Sequence, residues 1–417
     1  MPTFCRSQVE ELRRFLELPP ELIIAIFGPR QTGKTTIALQ ALERTTIPCR
    51  YLAVDEPDRL RLGAGTAGPA TDVSSPRIRV AAWLVGQWEA ARLEAERSER
   101  GFVLVLDEIQ KIPDWSGTVK GLWDADRRRR CALRVVILGS VPLLMQSGLN
   151  ESLAGRFFPL DVTHWAYEEM SQAFGFSLDE YLFFGGYPST GMARRNQRAW
   201  RQYVSKAIVD PAIERDLVAM TRIDKPALLR QLLETGSSFS GQIVSYTKLL
   251  GQLQDAGNTT TLARYLQLLS RVGLLAGLPK YSKGIPRRRA SSPKLNVLNS
   301  ALLTVFSPYG FDDARNDRSF WGRVVESAVG AHLLNTVEPG TTVHYWRHGN
   351  FEVDFVLERG PRVVAIEVKS SLQARSLKGM QEFKRRFNPH RSLLVGANGV
   401  PIDQFLSEPA ERWLGRK

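Results

Sequence analysis

The sequence predicts an α/β protein with a parallel sheet in its first part and a smaller α/β domain at its C-terminal end. Three observations support this fold class. Apolar runs alternate with helical segments from about residue 9 to 165, a glycine-rich loop follows the first run, and strands alternate with helices again after residue 296. Continuous apolar strands are typical of a parallel sheet covered on both faces. At 417 residues the chain is long enough for several cores.

Four apolar runs predict the strands of the first sheet, and a change of pattern ends that domain near residue 165. Beyond it, apolar and aromatic residues at helical spacing predict a small helical subdomain over residues 166–224. The predicted strands are LIIAIF (22–27), CRYLAV (49–54), FVLVLD (102–107) and LRVVILG (133–139).

A third segment, residues 225–295, has the pattern of three helices followed by a strand. This order resembles a winged helix-turn-helix, whose third helix would carry Thr259, Thr260, Arg264 and Tyr265 near its start. The basic stretch 283–294 would form a loop or the tip of the wing. We therefore expect four domains, over residues 1–165, 166–224, 225–295 and 296–417.

Composition narrows the class of protein. The 56 Lys and Arg residues exceed the 43 Asp and Glu residues, so the net charge is +13, which favours a polyanionic partner such as nucleic acid. Charge alone leaves anionic lipid, or no such partner, open. Three scattered cysteines indicate a reducing compartment. We find neither a signal peptide pattern nor an apolar run long enough for a membrane helix, so we expect a cytoplasmic protein.

The segment GPRQTGKT, residues 28–35, fits the phosphate-binding pattern G-x-x-x-x-G-K-[ST] and lies between an apolar strand and a helix. Glycines let the backbone curl so that N–H groups point at a phosphate, and the helix N-terminus adds partial positive charge. Lys34 would neutralise the β- and γ-phosphate oxygens of ATP, and Thr35 would bind Mg²⁺. The predicted ATP-binding residues are Gly28, Pro29, Arg30, Gln31, Thr32, Gly33, Lys34, Thr35, Thr36 and, after a later strand, Ser140.

Two acids end the strand FVLVLD. Asp107 would hold the Mg²⁺ shell, and Glu108 would act as the general base for the attacking water. The plain alternative is an acidic loop start. Arg156, in SLAGRF, is a candidate for the arginine that stabilises the transferring phosphoryl group, with a surface arginine as the equal alternative.

In order along the chain, these motifs are GPRQTGKT, YLAVDEPD, VLDEIQKIPDW, ILGS, SLAGR, GGYP, ERDL and SSPKL. Together they resemble the prokaryotic AAA-superfamily ATPases that carry a C-terminal domain of unknown function with a restriction-endonuclease-like fold. The resemblance covers nearly the whole chain and implies an ATPase core, a winged-helix segment and a nuclease-like end. It also implies a possible homo-oligomer. The sequence departs from the pattern at Asn299, near which similar proteins usually carry an aspartate.

The C-terminal segment EVDFVLERGPRVVAIEVKSS resembles the PD-(D/E)xK nuclease core. Asp354 and Glu367 would bind a divalent metal, Glu326 would supply a further acid, and Lys369 would orient or activate water. The plain alternative is a salt bridge between Glu367 and Lys369 on an exposed strand. Folds of this class also serve as inert binding modules.

Two functional hypotheses follow. In the first, the protein binds and hydrolyses ATP with Mg²⁺ and engages DNA, which we expect rather than RNA, while the ATP state gates a metal-dependent nuclease-like module. In the alternative, a non-cleaving switch or scaffold binds DNA or protein through the winged helix and an inert nuclease-like fold.

Overall fold

The computed structural model describes residues 4–54, 80–139, 152–217, 223, 225–254, 257–283, 291–370, 377–396 and 398–415. The chain forms two compact units, Met1–Val162 and Thr163–Lys417. The expected division into four domains stays a prediction.

A five-stranded parallel sheet forms the centre of the first unit, as the sequence predicts. Its strand order is β2–β3–β4–β1–β5, and every neighbouring pair runs parallel. The fifth strand was not predicted, because it lies at the sheet edge, contains Pro159 and buries few of its residues. The strands are β1 (Ile23–Phe27), β2 (Cys49–Ala53), β3 (Phe102–Asp107), β4 (Leu133–Gly139) and β5 (Phe157–Asp161).

Helices cover both faces of this sheet, which explains why its central strands are apolar throughout. Successive residues of a strand point to opposite faces, so Ile24 and Ile26 join one core while Ile23 and Ala25 join the other. Helices α1 (Ser7–Glu17) and α2 (Lys34–Leu42) pack on the first face, and α3 (Ala81–Arg97) and α4 (Trp115–Arg129) pack on the second.

The second unit begins with a series of helices, which is followed by a two-stranded antiparallel sheet. In chain order its elements are α5 (Tyr167–Phe174), α6 (Leu178–Phe184), α7 (Thr190–Ala193), α8 (Gln197–Gln202), the π-helical turns Tyr203–Val209 and Ala212–Leu217, α9 (Pro226–Ser238), α10 (Tyr246–Leu250), α11 (Thr259–Arg271), β6 (Leu275–Leu278) and β7 (Lys294–Val297).

A four-stranded mixed sheet of order β11–β10–β9–β8 follows. Strands β8, β9 and β10 are antiparallel neighbours, and β10 pairs with β11 in parallel. The elements are α12 (Ala301–Val305), α13 (Phe311–Asn316), α14 (Arg318–Thr336), β8 (Thr342–His348), β9 (Phe351–Arg359), β10 (Arg362–Lys369), α15 (Lys378–Phe387), β11 (Arg391–Gly396), α16 (Ile402–Leu406) and α17 (Ala410–Trp413).

Asn299 connects three segments of the second unit. Its Oδ1 accepts hydrogen bonds from the backbone N–H groups of Gly186 at 3.1 Å and Ala301 at 3.2 Å, and its Nδ2 lies 3.3 Å from Nδ1 of His164. Since Nε2 of His164 lies 2.8 Å from the Gly273 carbonyl oxygen, which only accepts, Nε2 carries the ring proton and Nδ1 accepts from the amide. An aspartate at this position would offer no such donor.

None of the helices that the structure describes combines the length and the apolar character needed to span a lipid bilayer.

A buried polar group joins α3 to α4 in the first unit. Asp126, 2% exposed, accepts a hydrogen bond of 2.7 Å from the Trp88 indole and pairs with Arg92, which is 5% exposed. Removing the Asp126 carboxylate would leave the Trp88 indole without this acceptor and the buried Arg92 paired with Glu89, whose side chain is half exposed.

We therefore expect Asp126→Ala to lower the free energy of unfolding by about 3–5 kcal/mol, measured by chemical denaturation followed by circular dichroism. Asp124→Ala is the matched control on the same helix, because Asp124 is about a third exposed where it pairs with Arg156; its cost should stay below about 1 kcal/mol. Equal costs for the two variants would contradict the prediction.

Candidate functional site

The loop of residues 28–35 connects β1 to α2 in the first unit and has the backbone that its glycines allow. Gly33 precedes α2 in the left-handed conformation, with φ of 89°. A Cβ at Gly28 would lie 1.9 Å from the carbonyl oxygen of Val162, so no other residue fits there. Gln31 also has positive φ, at 61°. The resulting curl ends at the N-terminus of α2, where backbone N–H groups favour an anion.

Two hydrogen bonds hold the middle of this loop. The buried Thr32 donates from Oγ1 to the Pro29 carbonyl oxygen at 2.9 Å. The guanidinium of Arg6, which precedes α1, donates to the Thr32 carbonyl oxygen at 3.1 Å. Sequence reasoning missed Arg6, because its partner lies 26 residues away and no local motif joins them. Arg30 is half-buried within the same loop.

Lys34 lies over the curl. It is 8% exposed, and its ammonium donates to the carbonyl oxygens of Gly28 at 2.9 Å and Pro29 at 2.7 Å. Carbonyl oxygens are neutral acceptors, so phosphate oxygens can compete with them for the Lys34 ammonium. Thr36, half-buried in the first turn of α2, is the last predicted residue of this set.

Asp107, at the end of β3, receives three hydrogen bonds. Thr35 Oγ1 and the Tyr51 hydroxyl donate to its Oδ2 at 2.6 and 2.7 Å, and the backbone N–H of Glu108 donates to its Oδ1 at 2.8 Å. Tyr51 lies on the neighbouring strand β2 and was not predicted as a site residue. The register pairs Tyr51 with Val105 and Ala53 with Asp107, so Tyr51 lies two residues before the level of Asp107 on the same face of the sheet. Sequence reasoning missed it, because the two residues are 56 positions apart.

Glu108 follows with the left-handed φ of 55° that turns the chain away from the sheet. Its carboxylate accepts a hydrogen bond of 2.6 Å from the Gln110 side chain and lies 3.9 Å from the Lys111 ammonium. The side chain is therefore oriented by two polar neighbours that come from the following turn.

Arg156 is engaged by an acid of its own unit. Its guanidinium donates to both carboxylate oxygens of Asp124, at 2.7 and 3.1 Å, and this hydrogen bonding lowers the pKa of Asp124. In this arrangement Arg156 is a half-exposed ion-pair partner, and a role in phosphoryl transfer would require it to leave Asp124. Ser140 lies outside the described residues.

The first unit fits Mg²⁺ and a nucleoside triphosphate. Thr35 Oγ1 and the Asp107 carboxylate, which are the hard oxygen ligands that Mg²⁺ prefers, lie 2.6 Å apart beside the curl. Lys34 and the N-terminus of α2 supply the positive charge that a phosphate chain needs.

The second unit brings the predicted C-terminal acids together. Phe355 pairs with Ile366 in the antiparallel β9–β10 ladder, so Asp354 and Glu367 stand opposite each other at the next position. Lys369 pairs with Glu367 at 2.6 Å, and Asp354 Oδ2 accepts a hydrogen bond of 2.8 Å from the backbone N–H of Val368.

A lysine that was not predicted lies among these acids. Lys294, the first residue of β7, has a fully buried side chain. Its ammonium nitrogen is 2.6 Å from Glu326 Oε1 on α14, 3.6 Å from Asp354 Oδ1 and 3.8 Å from Glu352 Oε1. The sequence placed residue 294 in a basic wing loop. That placement was wrong for Lys294, because the long-range contacts that bury it are invisible in a local run of basic residues.

Burial and neighbouring charges shift the pKa values of the residues in this cluster. It raises the pKa of Glu326 to about 7, against the opposing effect of Lys294. Burial and the Asp354 carboxylate also raise the pKa of Glu367 to about 7. Burial lowers the pKa of Lys294, but the carboxylates of Glu326, Asp354 and Glu352 raise it above its ordinary value, so the ammonium stays charged.

The acid cluster does not fit a divalent metal in this arrangement. A positive charge already lies within 4 Å of three of its carboxylates. Among the residues that the structure describes, no group of three or more His, Cys, Asp and Glu side chains is arranged to hold a metal ion. Within the described ranges, Glu367 Oε2 is buried and has no hydrogen-bond partner. One such oxygen does not make a metal site.

The helix expected to meet nucleic acid is α11. Thr259, Thr260 and Arg264 are exposed on it, whereas Tyr265 is 3% exposed, and its hydroxyl accepts a hydrogen bond from the backbone N–H of Lys225. Tyr265 therefore belongs to the core and does not face a partner. The basic segment 284–290 lies outside the described residues.

Comparisons with known proteins find a family match in the N-terminal part of the chain. Residues 20–171 match the model of an AAA domain, and the loop of residues 28–35, with Thr35 hydrogen-bonded to Asp107, has the geometry of a P-loop. Residues 175–312 and 321–405 match two domains of unknown function, DUF8612 and DUF4143. No curated protein matches the chain.

Solved structures with some similarity include a Walker-type ATPase of Pyrococcus abyssi, at 14% identity and a TM-score of 0.47 over 72% of this chain and 95% of that one. The Thermotoga maritima RuvB Holliday junction branch migration motor has 15% identity and a TM-score of 0.31 over 66% of this chain and 90% of that one. The Aeropyrum pernix ORC1 protein, solved in complex with DNA, has 16% identity and a TM-score of 0.28 over 76% and 95%.

We expect Gly28→Ala to destabilise the first unit by about 1–3 kcal/mol, because the new Cβ would overlap the Val162 carbonyl oxygen. The measurement is the free energy of unfolding from chemical denaturation. Gly86→Ala, on α3, is the control: a Cβ there meets nothing within 4 Å, and alanine should stabilise the helix by up to about 1 kcal/mol. A Gly28→Ala protein as stable as wild type would show that the loop does not have this backbone.

Proposed function

We propose that the protein binds ATP with Mg²⁺ at residues 28–36 and hydrolyses it. The observation that carries this proposal is the hydrogen bond between Thr35 and Asp107, which brings the P-loop hydroxyl to the acid at the end of β3. When bound, Mg²⁺ would neutralise and orient the phosphate oxygens. The residues that would hold it are Thr35 and Asp107.

The roles of the other residues follow from their positions. Lys34 exchanges the loop carbonyls for β- and γ-phosphate oxygens, and the backbone N–H groups of the curl bind the β-phosphate. Glu108 accepts a proton from the attacking water, with Gln110 orienting its carboxylate. Tyr51 is a positioning residue, since it donates to the same Asp107 carboxylate oxygen that Thr35 contacts. Arg156 would serve the transition state only after leaving Asp124.

Two substitutions test the ATPase proposal by phosphate release and nucleotide binding. Lys34→Ala should reduce turnover by roughly 10²–10³-fold, because it removes charge stabilisation of the transferring group. Glu108→Gln should keep ATP binding and lower turnover by about 10²–10⁴-fold, because the amide cannot accept the proton.

Lys120→Ala is the matched control, since Lys120 is an exposed lysine of α4 in the same unit. Its turnover should equal that of wild type. An unchanged ATP affinity and turnover in Lys34→Ala would overturn the proposal.

We further propose that residues 225–295 form a winged helix-turn-helix that engages DNA. Three helices followed by two antiparallel strands support it, as do the exposed polar residues at the start of α11 and the net charge of +13. Asn258 caps this helix by accepting a hydrogen bond of 2.8 Å from the Thr261 backbone N–H. The cap leaves the first turn ordered and open to a partner.

Duplex binding measured by fluorescence anisotropy over a range of salt concentrations tests this role. Arg264→Ala should weaken binding and reduce the slope of log affinity against log salt by about 1, as expected for loss of one phosphate contact. Arg271→Ala, exposed at the other end of α11, is the control and should bind as wild type. Salt-insensitive binding, or equal affinities for both variants, would contradict the proposed DNA-binding role.

A second measurement tests whether ATP controls DNA binding. If it does, the DNA affinity of Glu108→Gln should differ with and without ATP.

For residues 296–417 we propose a restriction-endonuclease-like fold. The supporting features are the β9–β10 hairpin, which presents Asp354 opposite Glu367, and the helix α14, which contributes Glu326. Two roles were open for such a module, metal-dependent cleavage and inert binding. The buried ammonium among the acids favours the second, in which the chain is a non-cleaving, ATP-dependent switch.

A further inference from the structure

The ammonium of Lys294 lies where the acids of the second unit converge. It contacts a carboxylate of α14, two carboxylates of β9 and, at 3.2 Å, the carbonyl oxygen of Asp354. These are oxygen ligands of the kinds that a hard divalent cation uses. The Phe355 ring, with its centroid 4.9 Å from the nitrogen, closes another side.

The charge balance explains why this lysine tolerates full burial. An unpaired ammonium in a protein interior is strongly disfavoured, and so is a group of carboxylates with no cation. The Lys294 ammonium offsets part of the negative charge of Glu326, Glu352 and Asp354, and the chain itself provides this positive charge. Lys369 makes a separate pair with Glu367 and is about a quarter exposed.

We propose that Lys294 is the built-in cation of this acid cluster and that it excludes divalent metal ions from it. The nuclease-like module then keeps the acidic constellation of a metal site while its central position is filled by a side chain. This inference takes from the proposed function only the expectation that the module does not cleave, and it does not depend on ATP hydrolysis.

The proposal makes a gain-of-binding prediction. Lys294→Ala removes the ammonium and its stem, so it opens space and leaves the acids without a cation. We expect about one additional Mn²⁺ ion to bind per chain, at least roughly tenfold more tightly than to wild type. The measurement is Mn²⁺ titration of the full chain without nucleotide, with free Mn²⁺ followed by electron paramagnetic resonance.

Three controls locate the effect. Lys369→Ala removes the other lysine of the region and should gain no Mn²⁺ site. Lys294→Ala combined with Asp354→Asn should lose the gain. Lys294→Met keeps the volume and removes the charge, so its thermal midpoint should be lower than that of wild type and insensitive to Mn²⁺, while that of Lys294→Ala should rise with Mn²⁺.

Wild type compared with Asp354→Asn decides the question even if Lys294→Ala fails to fold. Equal Mn²⁺ binding by these two proteins supports the proposal, and a site present in wild type and lost in Asp354→Asn overturns it. A folded Lys294→Ala protein that gains no Mn²⁺ site also overturns it. Failure of the ATPase proposal would appear separately, in the turnover of Lys34→Ala, and would leave these titrations unchanged.

Discussion

The hydrogen bond between Thr35 and Asp107 is the contact on which the first unit's chemistry depends. It joins two residues 72 positions apart, one at the start of α2 and the other at the end of β3. Parallel strands make this possible, because their carboxyl ends all meet at one edge of the sheet. The loop after β1 and the acid after β3 therefore share an edge, although β4 lies between the two strands. Tyr51 from β2 adds a second donor to the same carboxylate oxygen.

In the second unit, the charges that need stabilisation are buried carboxylates. Its hairpin presents Asp354 and Glu367 side by side in a largely buried setting, where carboxylates are costly unless they are paired or protonated. Both effects occur here. Lys294 supplies a cation to Glu326, Glu352 and Asp354, and burial together with the Asp354 carboxylate raises the pKa of Glu367, which favours its neutral form. The negative charge left for an external ion is therefore reduced.

The buried lysine ammonium groups of the two units therefore have different kinds of partner. In the first, the Lys34 ammonium is held by the carbonyl oxygens of Gly28 and Pro29, neutral groups that a phosphate can replace. In the second, the Lys294 ammonium is held by carboxylates inside the protein, and an external ligand would have to displace a charged partner. The first arrangement suits reversible binding, and the second suits a permanent internal contact.

The sequence by itself determined the P-loop, the acid pair that ends β3 and the four apolar strands of the first sheet. Each of these is a local pattern, in which glycine at a fixed spacing or an uninterrupted apolar run reports the backbone directly. The edge strand β5 escaped because its half-exposed residues carry no continuous run. The likeness of the C-terminal segment to a nuclease core also came from local spacing, that of Asp354, Glu367 and Lys369.

Only the tertiary structure decided which charges meet. It placed Lys294 among acids from α14 and β9 and paired Arg156 with Asp124. It also buried Tyr265 and placed Asn299 beside His164. Each of these pairings joins residues far apart in the chain, and a charged side chain has the same appearance in a sequence whether water or a buried carboxylate surrounds it. The physical reason is that burial and charge compensation depend on long-range packing, whereas backbone conformation depends largely on residues that are neighbours in the sequence.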